Sequence, residues 1–198
     1  MLAAVATTLG EGSAVKYEIV AEAYRDLEQV SSRLALIERL AKLVSQTPAA
    51  LLPVVCYLGQ GLIAPEFAGV DLGMAERMAV RAVAAATGTD PEQVAALVRE
   101  TGDLGQAGEQ LLAATAAGRP DVLTVTTVVN TLRQIANAEG QGSQGRKLEL
   151  LAGLLGQATP LGPATCCAWS PGACGWASAR RPSWMRWRRY MPAAGPTG

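Results

Sequence analysis

The sequence predicts an all-α fold for the body of this 198-residue chain. Three observations carry that prediction. Apolar residues recur at steps of three and four, capping and breaking residues fall between the periodic stretches, and even the most β-branched segment keeps helical spacing.

From Val20 to Val44 the apolar positions are Val20, Ala23, Tyr24, Leu27, Val30, Leu34, Ile37, Leu40, Ala41 and Val44, which stack on one face of a single long helical pattern. Pro48 and Pro53 break it and start a short apolar helix through Leu58, closed by Gly59 and Gly61. After a loop with Pro65 and Gly69, the Ala-rich stretch Met74 to Thr87 is strongly helix-prone and stops at Gly88. Asp90 followed by Pro91, Glu92 and Gln93 reads as a helix start, because a capping oxygen precedes a proline in the first turn. That helix ends at Gly102, and Asp103 is placed to cap the next one.

The run Val122 to Val129 is β-branched and suits a strand by propensity. However, Val125, Val128, Val129, Leu132, Ile135 and Ala136 follow the helical period beyond strand length, so the segment is expected as a helix capped by Thr124. The last helix of the body starts at Ser143. Leu148, Leu150, Leu151, Leu154 and Leu155 cover much of its girth, which predicts a central, buried helix. No segment is left that reads as a strand.

Formal neutrality, with 17 basic and 17 acidic residues, hides two different compositions. Residues 1–161 hold twelve basic residues against all seventeen acids, a net −5, while residues 162–198 hold five arginines and no acid, a net +5. The absence of His excludes a Ser-His-Asp or Cys-His nucleophile and a mixed Cys/His zinc site. Cys56 stands apart in sequence from Cys166, Cys167 and Cys174, so a structural zinc site and a disulfide scaffold are both poor fits. The first residues lack the basic and apolar regions of a signal peptide, and no apolar run approaches the roughly 18 to 20 residues that span a bilayer. These features predict a soluble, cytoplasmic protein with no membrane partner.

Three features ask for more than helix packing. Ser31-Ser32-Arg33 interrupts the long helical pattern with two serines that are mildly unfavourable there, unless they permit close helix contact. Gly102-Asp103-Leu104-Gly105 joins two helices and reads either as a capped turn or as a polar contact. Gly140 to Lys147 is a glycine-rich turn that feeds a helix whose first turn holds Ser143, Arg146 and Lys147. A helix N-terminus offers unpaired N–H groups and partial positive charge, and glycines such as Gly142 let an anion approach. The same turn also reads as a turn and nothing more. It is not a Walker A loop, since no strand precedes it and Gly-Lys-Ser/Thr is missing.

Taken in order, these features resemble a known family. Residues 16–161 are similar to the N-terminal, all-helical DNA-binding domain of ATP-dependent DNA ligases. The resemblance rests on Ser31-Ser-Arg-Leu with the Leu-rich segment to Val44, Tyr57-Leu58, Ala82-Val-Ala84 and Ala86-Thr-Gly88. It continues through Gly102-Asp-Leu-Gly105, Leu123-Thr-Val125, Ile135-Ala136 and Gly140-x-Gly-Ser143 with Lys147. It implies a multi-helix domain that clasps duplex DNA, nicked in the enzyme's substrate, through backbone phosphates and without regard to base sequence. The implied DNA-backbone contacts are Ser31, Ser32, Arg33, Gly102, Gly105, Gly142, Ser143, Arg146 and Lys147. By resemblance the parent enzyme uses ATP and Mg and serves DNA repair, replication and recombination. Its reactive lysine lies in a Lys-x-Asp-Gly motif of a separate domain, followed by an OB-fold domain. Here Lys16, Lys42 and Lys147 are followed by Tyr-Glu, Leu-Val and Leu-Glu, so this chain is expected to hold no catalytic residue, cofactor or metal and to seal no nick alone. No oligomer is expected. The reading without a family is a helical protein-interaction module that does not touch nucleic acid.

The family pattern departs after Pro160. Residues 162–198 contain no Leu, Ile, Val, Phe, Asp, Glu, Lys, Asn or Gln, yet hold all four Trp and three of four Cys. Loss of one base from a GAG codon at position 162 turns the family's Leu-Glu-Ala-Arg-Tyr-Leu into the observed Leu161-Gly-Pro-Ala-Thr-Cys. In that shifted frame each Trp and Cys arises from a codon ending in TG, which encodes Leu, Met or Val. The tail is therefore expected to be out of frame, disordered and irregular, leaving the domain incomplete at its C-terminal end. A selected Arg/Trp segment for membranes or single strands is the rival reading, opposed by five prolines and five glycines in the stretch. Residues 1–15 are expected to be a leader that precedes an internal start near Val15.

Overall fold

The computed structural model describes residues 15–115 and 122–159, so the expected leader up to residue 14 and the tail from 162 lie outside the described residues. Among the described residues the fold is eight α-helices and one short 3-10 turn. They are α1 (Tyr17–Glu28), α2 (Arg33–Gln46), α3 (Leu52–Leu58), the turn Glu66–Ala68, α4 (Glu76–Thr87), α5 (Pro91–Thr101), α6 (Leu104–Thr115), α7 (Val125–Ala136) and α8 (Ser143–Gln157). The expected all-α class is what the chain adopts. Extended pairing among these residues amounts to an isolated antiparallel bridge between Lys16 and Thr124, where Tyr17 N donates to the Leu123 carbonyl and Val125 N to that of Val15.

Local chemistry sets most helix ends. Asp90 accepts from Glu92 N ahead of Pro91, Asp103 from Gln106 N and Thr124 from Thr127 N, each satisfying a donor that the helix cannot. Gly88 and Gly102 close α4 and α5 in the left-handed conformation that only glycine adopts without strain. The β-branched segment at 125–136 is a helix, as its spacing requires. Val125, Val128, Leu132 and Ile135 are fully buried along one face. Each contributes on the order of 1.5–3 kcal/mol by leaving water.

The core is built around α4. Its face of Ala79, Ala82, Val83 and Ala84 is buried, and these small side chains admit α8 closely in the most extensive helix pair of the fold. Helix α7 packs on the neighbouring side of α8, α5 and α6 pack on α4, and α1 adds Tyr17, Val20, Tyr24 and Leu27 to the same cluster.

Two expectations need correction. The long pattern from Val20 to Val44 is two helices, because Gln29 to Ser32 form a link in which Ser32 is extended (ψ 129°). Hydrophobic spacing continues across the link, but the serines favour a helix start over a helix interior. The break leaves α2 with Leu36 and Leu43 buried, while Leu34, Ile37, Leu40 and Val44 are exposed. Helix α8 is central, packed between α4 and α7 as its leucines suggest, but it is not buried around its whole girth. Leu151, Leu154 and Leu155 are buried, Leu148 and Leu150 are half-buried, and Gly145, Glu149, Gly153 and Gln157 face outward.

Candidate nucleic-acid interface

Duplex DNA presents phosphates, so a domain that binds it without reading bases needs cations and open N–H groups on its surface. The helix starts of this fold divide sharply by that criterion. Helices α5, α6 and α7 are capped by Asp90, Asp103 and Thr124, and α1 and α4 carry Glu18 and Glu76 in their first turns. Among the helices longer than two turns, only α2 and α8 start with neither a side-chain cap nor an acid in the first turn. Both carry an exposed arginine there, Arg33 at the first residue of α2 and Arg146 at the fourth of α8.

At the start of α2, Ser31, Ser32 and Arg33 are all exposed, and Ser32 occupies the capping position, where its carbonyl accepts from Leu36 N but its side chain makes no capping bond. At the start of α8, Gly142 takes the capping position with φ +81°, a conformation in which any side chain would be strained. A Cβ built on Gly142 or Gly145 meets nothing within 4 Å, so the backbone there is open to an approaching group. Beside it runs a groove of about 700 Å³ between α7 and α8. Arg146, Thr131 and Gln157 offer donors to the groove, and Glu149 opposes them. Sequence reasoning did not find Thr131 or Gln157, and no local signal marks them, since both are ordinary polar positions on amphipathic helices.

The Gly102–Gly105 turn is built differently. Gly102 is exposed, but Gly105 is buried and Asp103 Oδ1 already accepts from Gln106 N at 2.8 Å. Glu28, at the end of α1, comes close enough to Asp103 for the two carboxyls to interact. The Glu28 side chain remains exposed at the surface, yet partial desolvation by its surroundings first, and then the Asp103 charge, push its carboxyl above the ordinary glutamate value. The second feature thus carries two acids that act on one another, Asp103 in its turn and Glu28 at the end of α1. The third feature packs elsewhere, against α4 and α7.

Lys147 is placed where the spacing alone did not put it. It is buried, and its Nζ donates to the Leu72 carbonyl oxygen at 2.6 Å. Of the two adjacent cations in the first turns of α8, Arg146 points out and Lys147 points in, about 100° apart as helical geometry requires. Among the described residues no group of three His, Cys, Asp or Glu side chains is arranged to hold a metal ion, and no helix is long and apolar enough to cross a membrane.

Comparison with known proteins places this geometry in context. The family described as "DNA ligase N terminus" matches residues 16–164. A "Probable DNA ligase" of Aquifex aeolicus is 40% identical over 147 residues, covering 74% of this chain and 25% of the relative. "DNA ligase 2" of Thermofilum pendens is 37% identical over 161 residues, covering 77% of this chain and 27% of its own length. The "DNA ligase" of Aeropyrum pernix is 39% identical over 159 residues, covering 73% and 26%. The chain spans about a quarter of the length of these relatives.

Proposed function

The chain belongs to the DNA ligase N-terminus family, and from that premise we propose that it binds duplex DNA through the phosphate backbone, independently of base sequence, with a nicked duplex as the substrate of its parent enzyme. The observation that carries this reading is the pair of uncapped, acid-free helix starts, α2 and α8, each bearing an exposed arginine. The body as a whole is acidic, so binding depends on these few cations and on oriented N–H groups. Ser31, Ser32, Arg33, Gly142, Ser143 and Arg146 are the proposed contacts. Gly102 and Gly105 are weaker candidates because Asp103 and Glu28 guard their turn.

In this reading residues 16–161 do not join DNA ends by themselves. ATP and Mg act in parts of the parent ligase for which these residues supply no lysine motif, and the parent serves DNA repair, replication and recombination in the cytoplasm. The residues from 162 onward are the product of a lost base, which weakens the domain's grip on DNA and its solubility. Inserting one base at codon 162 and reading onward tests this, since the idea fails if no Leu- and Arg-rich frame continues.

Binding is tested by titrating the full chain with a fluorescent nicked duplex at several salt concentrations. The reading requires a negative slope of log affinity against log salt of roughly 0.9 per phosphate neutralised. Salt-insensitive binding, or none, removes it. A second reading, a protein-interaction module, is favoured by the exposed stripe Leu34, Ile37 and Val44 on α2. Replacing Ile37 and Val44 by Ser leaves DNA affinity intact if that stripe serves a protein partner.

A further inference from the structure

We propose that Lys147 is a positioning residue that locks the loop before α4 onto the first turns of α8, and that of these two adjacent cations Arg146, not Lys147, is the one that faces phosphate. The second half of this proposal rests on the DNA-binding reading; the first does not.

The loop from Gly69 to Ala75 has no regular structure. Leu72 and Met74 are buried on either side of Gly73, and Asp71 Oδ1 accepts from Gly73 N at 3.0 Å. Gly73 adopts φ +58°, and a Cβ built on it lies 2.9 Å from Lys147 Nζ. The ammonium therefore occupies the space that a side chain at 73 would take, while bonding the carbonyl of the residue before it. Such a bond to a charged donor is stronger than a neutral one, and it links residues 75 apart in sequence. Burying an ammonium costs more than burying the apolar, one-atom-shorter side chain of methionine, so Lys147 would be a poor choice if only apolar filling were needed. Turning it outward toward a phosphate would strip Leu72 of its donor and open the contact between loop and helix. Because Lys147 follows Arg146 directly, fixing one side chain inward fixes the azimuth of the other outward, beside the groove with Gly142, Gly145 and Thr131.

The test uses Lys147→Met, Gly73→Ala, their double variant and Arg146→Ala in the full chain. Lys147→Met is expected to lower the melting temperature by several degrees and to speed amide exchange across residues 69–75. Gly73→Ala should destabilise the wild type more than the Lys147→Met background, where the crowded ammonium is gone, so the two changes are non-additive. On nicked duplex, Lys147→Met should weaken affinity several-fold with an unchanged salt slope, whereas Arg146→Ala should reduce the slope by roughly 0.9. The proposal is overturned if Lys147→Met leaves melting, exchange and the coupling to Gly73 unchanged, or if it lowers the salt slope as Arg146→Ala does. Should the wild-type chain bind no DNA, the function reading fails while melting, exchange and coupling still decide the role of Lys147. Should Lys147→Met not fold, Gly73→Ala is compared with Gly69→Ala, which bears the same left-handed strain with open space around its Cβ; a larger loss of stability at 73 supports the lock, and an equal loss overturns it.

Discussion

Glu28 at the end of α1 lies near enough to Asp103 at the start of α6 for the Asp103 charge to act on its carboxyl. Asp103 is held there by its capping bond, and Glu28 is partly desolvated beside it. The Glu28 carboxyl consequently holds its proton more tightly in the folded state than in the unfolded chain.

The sign of the pH effect follows from linkage. A raised folded-state value gives a stabilisation that is complete below the ordinary glutamate value of 4.5 and is lost as pH rises through the raised one. Glu28→Gln is expected to increase thermal stability at neutral pH and to flatten its dependence as pH rises from the ordinary glutamate value of 4.5 through the raised one. Melting curves across that range check this. An unchanged profile in the variant would show that Glu28 and Asp103 are relaxed apart in solution.

Arg33 and Arg146 stand at the two uncapped helix starts. Replacing either by Ala should weaken DNA binding similarly for all sequences and reduce the salt slope by roughly 0.9 each. Anisotropy titrations with two unrelated duplexes at several salt concentrations read both quantities. Asp90→Ala, at a capped start, should leave the slope alone.

Thr124 caps α7 through a 3.1 Å bond from Thr127 N and pairs with Lys16 across the isolated bridge. Thr124→Ala should cost about 1 kcal/mol, the usual value of an N-cap side chain. In a domain of this size that is a drop of roughly 2 to 4 °C in Tm. Thr124→Ser, which keeps the accepting oxygen, should recover most of it.

Tyr24 donates its phenol hydrogen to the Val55 carbonyl and is buried against α3, and burial holds its hydroxyl in the neutral, donating form. A Cβ on Gly59 falls 3.1 Å from the Tyr24 ring. Tyr24→Phe removes one of two bonds to the Val55 carbonyl, which still accepts from Gly59 N, and should cost about 0.5 to 1.5 kcal/mol. Gly59→Ala should also destabilise, because the ring is held by that bond and has little freedom to yield. Urea denaturation of the two single variants and the double variant measures both effects and their coupling.

The helices that the sequence predicts most sharply are those whose ends are written in short-range chemistry. Asp90 before Pro91, Thr124 before the β-branched run, and Gly88 and Gly102 after periodic stretches act within a few residues of themselves, so they are legible without a partner. The split between α1 and α2 was not legible, because hydrophobic spacing runs through Val30 and Leu34 without a break and only the extended Ser32 reveals it. The two serines marked the place but not its meaning.

The sequence by itself therefore determined the helical class, the positions of most helix starts and stops, and the residues that resemble a DNA ligase N terminus. The tertiary structure decided which of those residues face outward. Lys147 and Arg146 are adjacent, equally charged and equally suited to phosphate on paper, yet one is spent on the Leu72 carbonyl and the other is exposed. The physical reason is that a cap or a period is a property of neighbours along the chain, whereas burial and partnership are set by the helix that packs opposite. For Lys147 that partner is a loop 75 residues away.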